Sequence, residues 1–178
     1  MKILGVDPGS RAAGWAVVDF APSPALVDAG VLRPPRTGTF AERLSFLHDA
    51  LAKVIASDRP DAAALERVFS GVNPQSLIAL GEARGVLLLA LAQAGIPTAE
   101  VTPAEIKRAV AGSGGAEKEQ VRRMVGALLG RRLALDAADA AAAALAHGFV
   151  AALRGASFAA APRALTSPLA GVRRRPAG

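Results

Sequence analysis

The order in which short apolar segments and amphipathic segments follow one another constrains the fold of this chain more than any other feature. Three short apolar segments come first, separated by Gly or Pro, at 3–7, 14–20 and 25–33. Short strands in direct succession favour an antiparallel meander. Beyond them, predicted helices alternate with two further strands, at 61–66 and 97–101. This order predicts an α/β layer fold with a mixed five-stranded sheet flanked by helices.

Cap residues and apolar periodicity locate the helices. Thr39 is an N-cap with Glu42 three residues later, so the helical period over 39–57 begins with a capping box. Asn73 and Pro74 form the cap and first turn of a long helix that ends near residue 94. The other helices are predicted after Thr102-Pro103, at about 116–129 and at about 137–153.

Length and composition indicate one domain with a tail. A chain of 178 residues, 52% of them hydrophobic, supplies one core of ordinary size, and we predict a domain over 1–154. The tail over 155–178 is rich in Arg, Pro and Ala, lacks periodicity and is predicted to be disordered. With no cysteine, no secretory signal and a longest apolar run at 86–92, the chain is predicted to be cytoplasmic and without membrane spans.

The excess of basic residues is the first indication of a partner. Lys and Arg number 21 against 15 Asp and Glu, for a net charge of +6. A solvated surface would explain this excess as well as nucleic-acid binding would. Its distribution favours nucleic acid, because no acidic residue follows Asp139 while the run 173–175 is all arginine.

Four acidic residues stand where sheet and helix ends meet. Asp7 ends the first predicted strand and Glu66 ends the fourth, so the two carboxylates meet at one sheet edge if those strands are neighbours. Asp136 and Asp139 are three residues apart at the start of the last helix and therefore share a face. They could instead serve only as an N-cap and as an acid in the first turn that suits the helix dipole.

Four converging carboxylates would need protons or cations. Two charges 4 Å apart repel by about 4 kcal/mol at an effective dielectric near 20. No lysine lies beside Asp7 in the sequence to neutralise it. Oxygen ligands select Mg²⁺ or Mn²⁺, and a pair of such ions can clamp both the attacking water and the leaving oxygen of a phosphodiester. We therefore predict a metal-dependent nuclease.

Four long motifs resemble the RuvC-type Holliday junction resolvases of bacteria. They are GVDPGSRAAGWAVVD, LERVFSGVNPQSLIALGEARGV, AEIKRAVAGSGGAEKEQVRRMV and DAADAAAAALAH, in that order between about residues 3 and 150. The resemblance implies a ribonuclease H-like fold and a homodimer that binds four-way DNA junctions. It also implies paired, symmetric, Mg²⁺-dependent nicks, and cooperation with a junction-binding and branch-migration complex.

The resemblance also implies roles for individual residues. It places two Mg²⁺ ions, or Mn²⁺ in their place, on Asp7, Glu66, Asp136 and Asp139. Phe69 matches an aromatic residue used against junction bases, although a Phe is otherwise usual in a core. Lys107 and Lys118 match basic residues near the scissile phosphate, although they could belong to a solvated face. Arg11, after Asp7, is a further candidate for DNA contact, and the helix from Pro74 resembles the family's dimer-forming helix.

Other functions share some of these features. The DPGS turn is similar to the phosphate loop of actin-like and sugar-kinase ATPases, but the chain is too short for their second lobe. A junction- or RNA-binding module with an idle site would need only the basic surface. A ribonuclease H-like enzyme acting on RNA would keep the acids, and Val68-Phe69 after Glu66 with the two lysines favours the junction over it.

Overall fold

The computed structural model, which describes residues 1–67, 73–153 and 155, has one mixed sheet. Within these residues its strands are β1 (Lys2–Asp7), β2 (Ala13–Asp19), β3 (Ala25–Leu32), β4 (Ala62–Glu66) and β5 (Thr98–Val101). Their order across the sheet is β3-β2-β1-β4-β5. β1 pairs antiparallel with β2 and β2 with β3, whereas β4 runs parallel to β1 and to β5. The predicted meander and the neighbouring first and fourth strands are both confirmed.

Five helices complete the described part of the chain. They are α1 (Phe40–Asp58), α2 (Pro74–Gln93), α3 (Pro103–Ala111), α4 (Lys118–Leu129) and α5 (Leu135–Leu153). The predicted capping box of Thr39 and Glu42 is present, and Asn73 caps α2 by accepting a hydrogen bond from the Ser76 backbone N–H. The alternative that Asp136 is an N-cap is wrong, because α5 begins at Leu135 and Asp136 lies inside its first turn.

The helices cover the two faces of the sheet as two separate layers. Leu4 and Leu65 point to the side of α1 and α2 and pack against Leu47 and Leu87. Their strand neighbours point the other way, as alternation along a strand requires, and Ile3 and Ala64 join the core formed with α3, α4 and α5. Asp7 lies four residues after Ile3 and Glu66 lies two residues after Ala64, so both acidic side chains face the α5 side as well.

Two glycines let α5 lie unusually close to the sheet. A Cβ atom on Gly5 of β1 would overlap the carbonyl oxygen of Ala140, and one on Gly14 of β2 would overlap that of Asp136. The helix surface that meets them is almost entirely alanine and is buried. Small residues on both sides thus bring the first turn of α5 against the carboxyl end of β1, where Asp7 lies.

Within the part of the chain that the structure describes, two helices are as long and apolar as a membrane span. They are α2 and α5, in which 22% and 61% of the most apolar 18-residue window is buried within the domain. The uninterrupted run 86–92 underestimates the apolar length of α2. Isolated polar residues end a run, but they hardly lower the mean hydropathy of an 18-residue window. Core helices of soluble domains pass the same test, and the burial of α5 makes it such a helix.

Two sequence predictions fall outside the described residues. Phe69 lies within 68–72, and the tail predicted over 155–178 is described only at Gly155.

Candidate active site

The two strand acids lie side by side at one edge of the sheet. Asp7 is the last residue of β1 and Glu66 the last residue of β4, and these strands are parallel neighbours. The negative charge of Glu66 raises the pKa of Asp7. Two neighbouring carboxylates oppose each other's ionisation, so the predicted meeting of Asp7 and Glu66 includes an electrostatic conflict.

α5 adds its two acids to this pair. The negative charge of Asp139 raises the pKa values of both Asp7 and Glu66, and that of Asp136 raises the pKa of Asp7. These influences place all four carboxylates in one electrostatic neighbourhood, which we name the four-acid cluster: Asp7, Glu66, Asp136 and Asp139. The predicted convergence therefore depends on the close approach of α5 to β1 and β2.

Burial makes the strand half of the cluster hard to ionise. Desolvation, followed by the charges of Glu66 and Asp139, raises the pKa of Asp7 from 3.8 to about 8. Desolvation and the charge of Asp139 raise the pKa of Glu66 as well. Lys118 opposes these effects at both carboxyl groups. The neutralising lysine that the sequence lacks beside Asp7 is thus supplied from α4, more than a hundred residues along the chain.

The helix half of the cluster has its own counterions. Arg122 donates a hydrogen bond from Nη2 to Asp139 Oδ2 at 3.1 Å, and Lys118 Nζ lies 3.6 Å from the same oxygen. Arg33 Nη2 lies 3.7 Å from Asp136 Oδ2. Among the described residues, no ion pair reaches Asp7 or Glu66.

Sequence reasoning missed Arg122 and Arg33. Arg122 follows Lys118 by four residues on α4, and residues at this spacing share a helix face. That signal would have found Arg122 once Lys118 was singled out. Arg33 directly follows β3, and only the sheet order brings it to the start of α5, so no local signal indicates it.

Both predicted lysines lie at the cluster. A small cavity of about 50 Å³ between α3, α4 and α5 is lined by Glu66, Asp139, Lys107 and Lys118, together with apolar side chains. Arg11 is exposed in the turn between β1 and β2 that follows Asp7. The lysines therefore border the carboxylates directly, while Arg11 lies on the surface beyond the strand end.

A basic groove lies beside the four-acid cluster. It has a volume of about 450 Å³ and runs between α4 and the start of α5, with Arg122, Arg123 and Arg132 in its walls. Glu119 is the acidic residue among its lining side chains. Arg122 belongs to both features, because it also contacts Asp139. The groove thus offers positive charge to an anionic ligand next to the acids.

The donor set of the cluster fits a hard divalent cation. All four side chains offer carboxylate oxygens, which are the ligands that Mg²⁺ and Mn²⁺ prefer. In the described ranges, no three acidic or histidine side chains already enclose a common point closely enough to hold an ion. Asp136 and Asp139 lie against cationic side chains. Ion binding therefore requires these two carboxylates to exchange partners.

Known proteins with similar sequences belong to one family. The family model described as "Crossover junction endodeoxyribonuclease RuvC" matches residues 3–147. A protein of that name from Halorhodospira halophila is 53% identical over 148 residues, covering 82% of this chain and 89% of the relative. Another, from Sorangium cellulosum, is 49% identical over 174 residues, covering 95% of this chain and 93% of the relative.

Solved structures with the same architecture agree with the sequence comparison. RuvC of T. thermophilus in complex with a Holliday junction substrate matches with a TM-score of 0.81 and 33% identity, over 86% of this chain and 96% of that one. The yeast mitochondrial Holliday junction resolvase Ydc2 matches with a TM-score of 0.61 over 86% of this chain and 82% of that one. Its 14% identity shows a shared fold alone.

Proposed function

This chain belongs to the RuvC family of crossover junction endodeoxyribonucleases, and from this membership we propose that its four-acid cluster is a two-metal centre that cuts DNA. The protein is a metal-dependent endonuclease that resolves Holliday junctions in recombination and repair. The observation that carries the proposal is the meeting of Asp7 and Glu66 at adjacent strand ends, under the first turn of α5.

Asp7, Glu66, Asp136 and Asp139 would hold the ions, which we take to be two Mg²⁺, with Mn²⁺ as a substitute. When bound, such ions activate a water for in-line attack on a phosphodiester and stabilise the departing oxygen. The strand pair contributes rigid oxygen ligands, because Asp7 and Glu66 end strands that are hydrogen-bonded to their neighbours. The pKa values of both residues are raised by desolvation and by neighbouring negative charge, so a bound cation would stabilise their ionised forms.

The helix pair and its cations would rearrange when the site is loaded. If Asp139 held an ion, it would release Lys118 and Arg122, and both cationic side chains would then be available to the scissile phosphate and its neighbours. Lys107 adds positive charge from α3 at the same cavity. Arg11 and the basic groove contact flanking phosphates, and Phe69 stacks on an exposed junction base.

The family's homodimer fits an exposed apolar surface on α2. Leu77, Ile78 and Leu89 are 37%, 63% and 49% exposed on this helix, which is long and apolar. A second copy packing against α2 would bury this surface and present two active sites to one junction. We further place the enzyme in the cytoplasm, where it works with a junction-binding and branch-migration complex.

Cleavage of a synthetic four-way DNA junction tests the proposal. The wild-type protein and Asp7→Asn are compared on the junction and on a linear duplex of the same sequence, with Mg²⁺, Mn²⁺ or EDTA. We expect paired nicks confined to the junction, dependent on metal and lost in Asp7→Asn while junction binding survives. Asp28→Asn, an exposed aspartate on β3, is the matched control and retains cleavage.

Other outcomes contradict the proposal in distinct ways. Binding without cleavage in any metal would indicate an idle binding module. Equal cutting of duplex DNA or of RNA would leave the metal site in place and overturn the substrate. Full cleavage by Asp7→Asn would show that the four-acid cluster takes no part in the reaction.

A further inference from the structure

We propose that Arg84 is a positioning residue for the reaction, which holds Glu66 in place from the opposite side of the sheet. The inference rests on the proposed function, in that Glu66 is taken to be a metal ligand. Arg84 does not belong to the four-acid cluster. It lies in the middle of α2, and its side chain is only 19% exposed.

The guanidinium of Arg84 connects the end of β4 to β5. Its Nε donates a hydrogen bond to the backbone carbonyl of Glu66 at 3.4 Å, and its Nη2 lies 2.9 Å from Glu100 Oε2. The second contact is an ion pair rather than a directed hydrogen bond. A single side chain thus contacts the backbone of the proposed ligand and a carboxylate on the adjacent strand.

The sheet separates this contact from the reacting side of Glu66. Glu100 pairs in register with Leu65, whose side chain packs on the α1 and α2 side. Glu66 follows Leu65 and therefore directs its carboxylate to the α5 side, where it lines a cavity with Asp139. Arg84 can accordingly fix the position of Glu66 without occupying any carboxylate oxygen that a metal would need.

The end of β4 needs such support because Glu66 is its last residue. Strand ends are the parts of a sheet that open most easily, whereas metal ligands must be held to within about 0.5 Å. Arg67 adds to the same connection, since its backbone N–H donates to the Val101 carbonyl at 2.8 Å and its Nε lies 3.5 Å from Glu100 Oε2. Arg84 and Arg67 thus hold both sides of the Glu66 peptide against β5.

A merely structural role for Arg84 would affect stability but not the metal. Groups that orient metal ligands from behind typically contribute about 10- to 100-fold in metal affinity or activity. The distinguishing readout is therefore the metal dependence, measured separately from the melting temperature and from the affinity for DNA.

The test uses the full chain with three substitutions. Arg84→Lys keeps a positive charge near Glu100 but loses the planar fork that serves two partners, and Glu100→Gln removes the ion pair while leaving the Glu66 contact. The matched control is Arg43→Lys on α1, where the guanidinium lies 5.1 Å from the centre of the Phe40 ring and, among the described residues, forms no ion pair with Glu100 or with the four-acid cluster. Mn²⁺ binding without DNA is followed by loss of the free-ion electron paramagnetic resonance signal, and Mg²⁺ dependence by cleavage at saturating junction.

We expect Arg84→Lys to raise the half-saturating concentrations of Mn²⁺ and Mg²⁺ by about 10- to 100-fold with unchanged junction affinity. Glu100→Gln should shift them less and in the same direction, and Arg43→Lys should match the wild type. If Arg84→Lys fails to fold, Glu100→Gln decides alone. Wild-type metal dependence in the folded variants would overturn the role of Arg84, whereas a wild-type protein that neither binds Mn²⁺ nor cuts would overturn the metal centre itself.

Discussion

The strand half and the helix half of the four-acid cluster carry the same chemical group in contrasting electrostatic settings. Asp7 and Glu66 are held at strand ends with raised pKa values, and among the described residues neither takes part in an ion pair. Asp139 and Asp136 each lie within 4 Å of a cationic side chain. The strand pair therefore gains most from a bound cation. The carboxylates of the helix pair already lie beside cationic side chains and must release them to bind a metal ion.

Adding metal should produce the largest effect, a difference in melting temperature between the wild-type protein and a variant of the strand half. An ion that binds only the folded state stabilises it by about 2.7 kcal/mol at a concentration 100 times its dissociation constant. We expect Mg²⁺ or Mn²⁺ to raise the melting temperature of the wild-type protein and to have almost no effect on Asp7→Asn. Differential scanning calorimetry over a metal titration measures both. An equal rise in the two proteins would place the binding elsewhere.

Replacing one acid in each half should change the stability of the metal-free protein in opposite directions. Asp7→Asn removes a desolvated carboxyl group that forms no ion pair within the described part of the chain, so we expect the free energy of unfolding at pH 8 to rise by about 1 to 2 kcal/mol. Asp139→Asn leaves Arg122, 21% exposed, without its carboxylate and should lower it by about 1 to 3 kcal/mol. Urea unfolding at pH 8 in EDTA gives both values. Changes of the same sign would contradict the comparison.

The effect of Asp7→Asn should depend on pH. Between about pH 4 and pH 8 the unfolded chain has released the Asp7 proton while the folded protein still holds it, because the folded pKa is about 8. The folded state binds more protons there, so the contribution of Asp7 to stability falls as pH rises. The advantage of Asp7→Asn over the wild type should be small at pH 4 and grow towards pH 8. A pH-independent difference would contradict the raised pKa.

The smallest expected effect is the difference in stability between the ion pairs of the two helix acids. Arg33 and Asp136 form an ion pair at 3.7 Å with side chains 66% and 41% exposed, and exposed pairs contribute at most about 1 kcal/mol. Arg33→Gln should therefore lower the free energy of unfolding by less than Arg122→Gln, which breaks a shorter and more buried contact. Urea unfolding of the two variants in low salt is the measurement. A larger loss for Arg33→Gln would reverse this ranking.

Local signals were enough to predict most of the secondary structure. The capping box at Thr39, the Asn73-Pro74 start of α2 and the strand ends at Asp7 and Glu66 are written in a few consecutive residues, and the structure has each of them. The sequence predicts a start for α5 near residue 137, two residues late, and this offset makes Asp136 a candidate cap. The helix begins instead at Leu135, and the backbone N–H of Ala138 donates to the Ala134 carbonyl.

Periodicity, caps and the identity of the acids depend on neighbouring residues, so the order of the elements and the chemistry of the cluster could be predicted from the sequence. It also carried the family, through long motifs spread over most of the chain. Which charges meet depends on the three-dimensional packing of the elements. Lys118 and Arg122 reach Asp139, and Arg84 reaches Glu66 and Glu100, although the residues of each pair lie 16 to 21 positions apart in the chain. Such contacts depend on how the helices pack on the sheet. The distance of α5 from the sheet, for example, is set by Gly5, Gly14 and the alanines of α5 together and is encoded by no single segment.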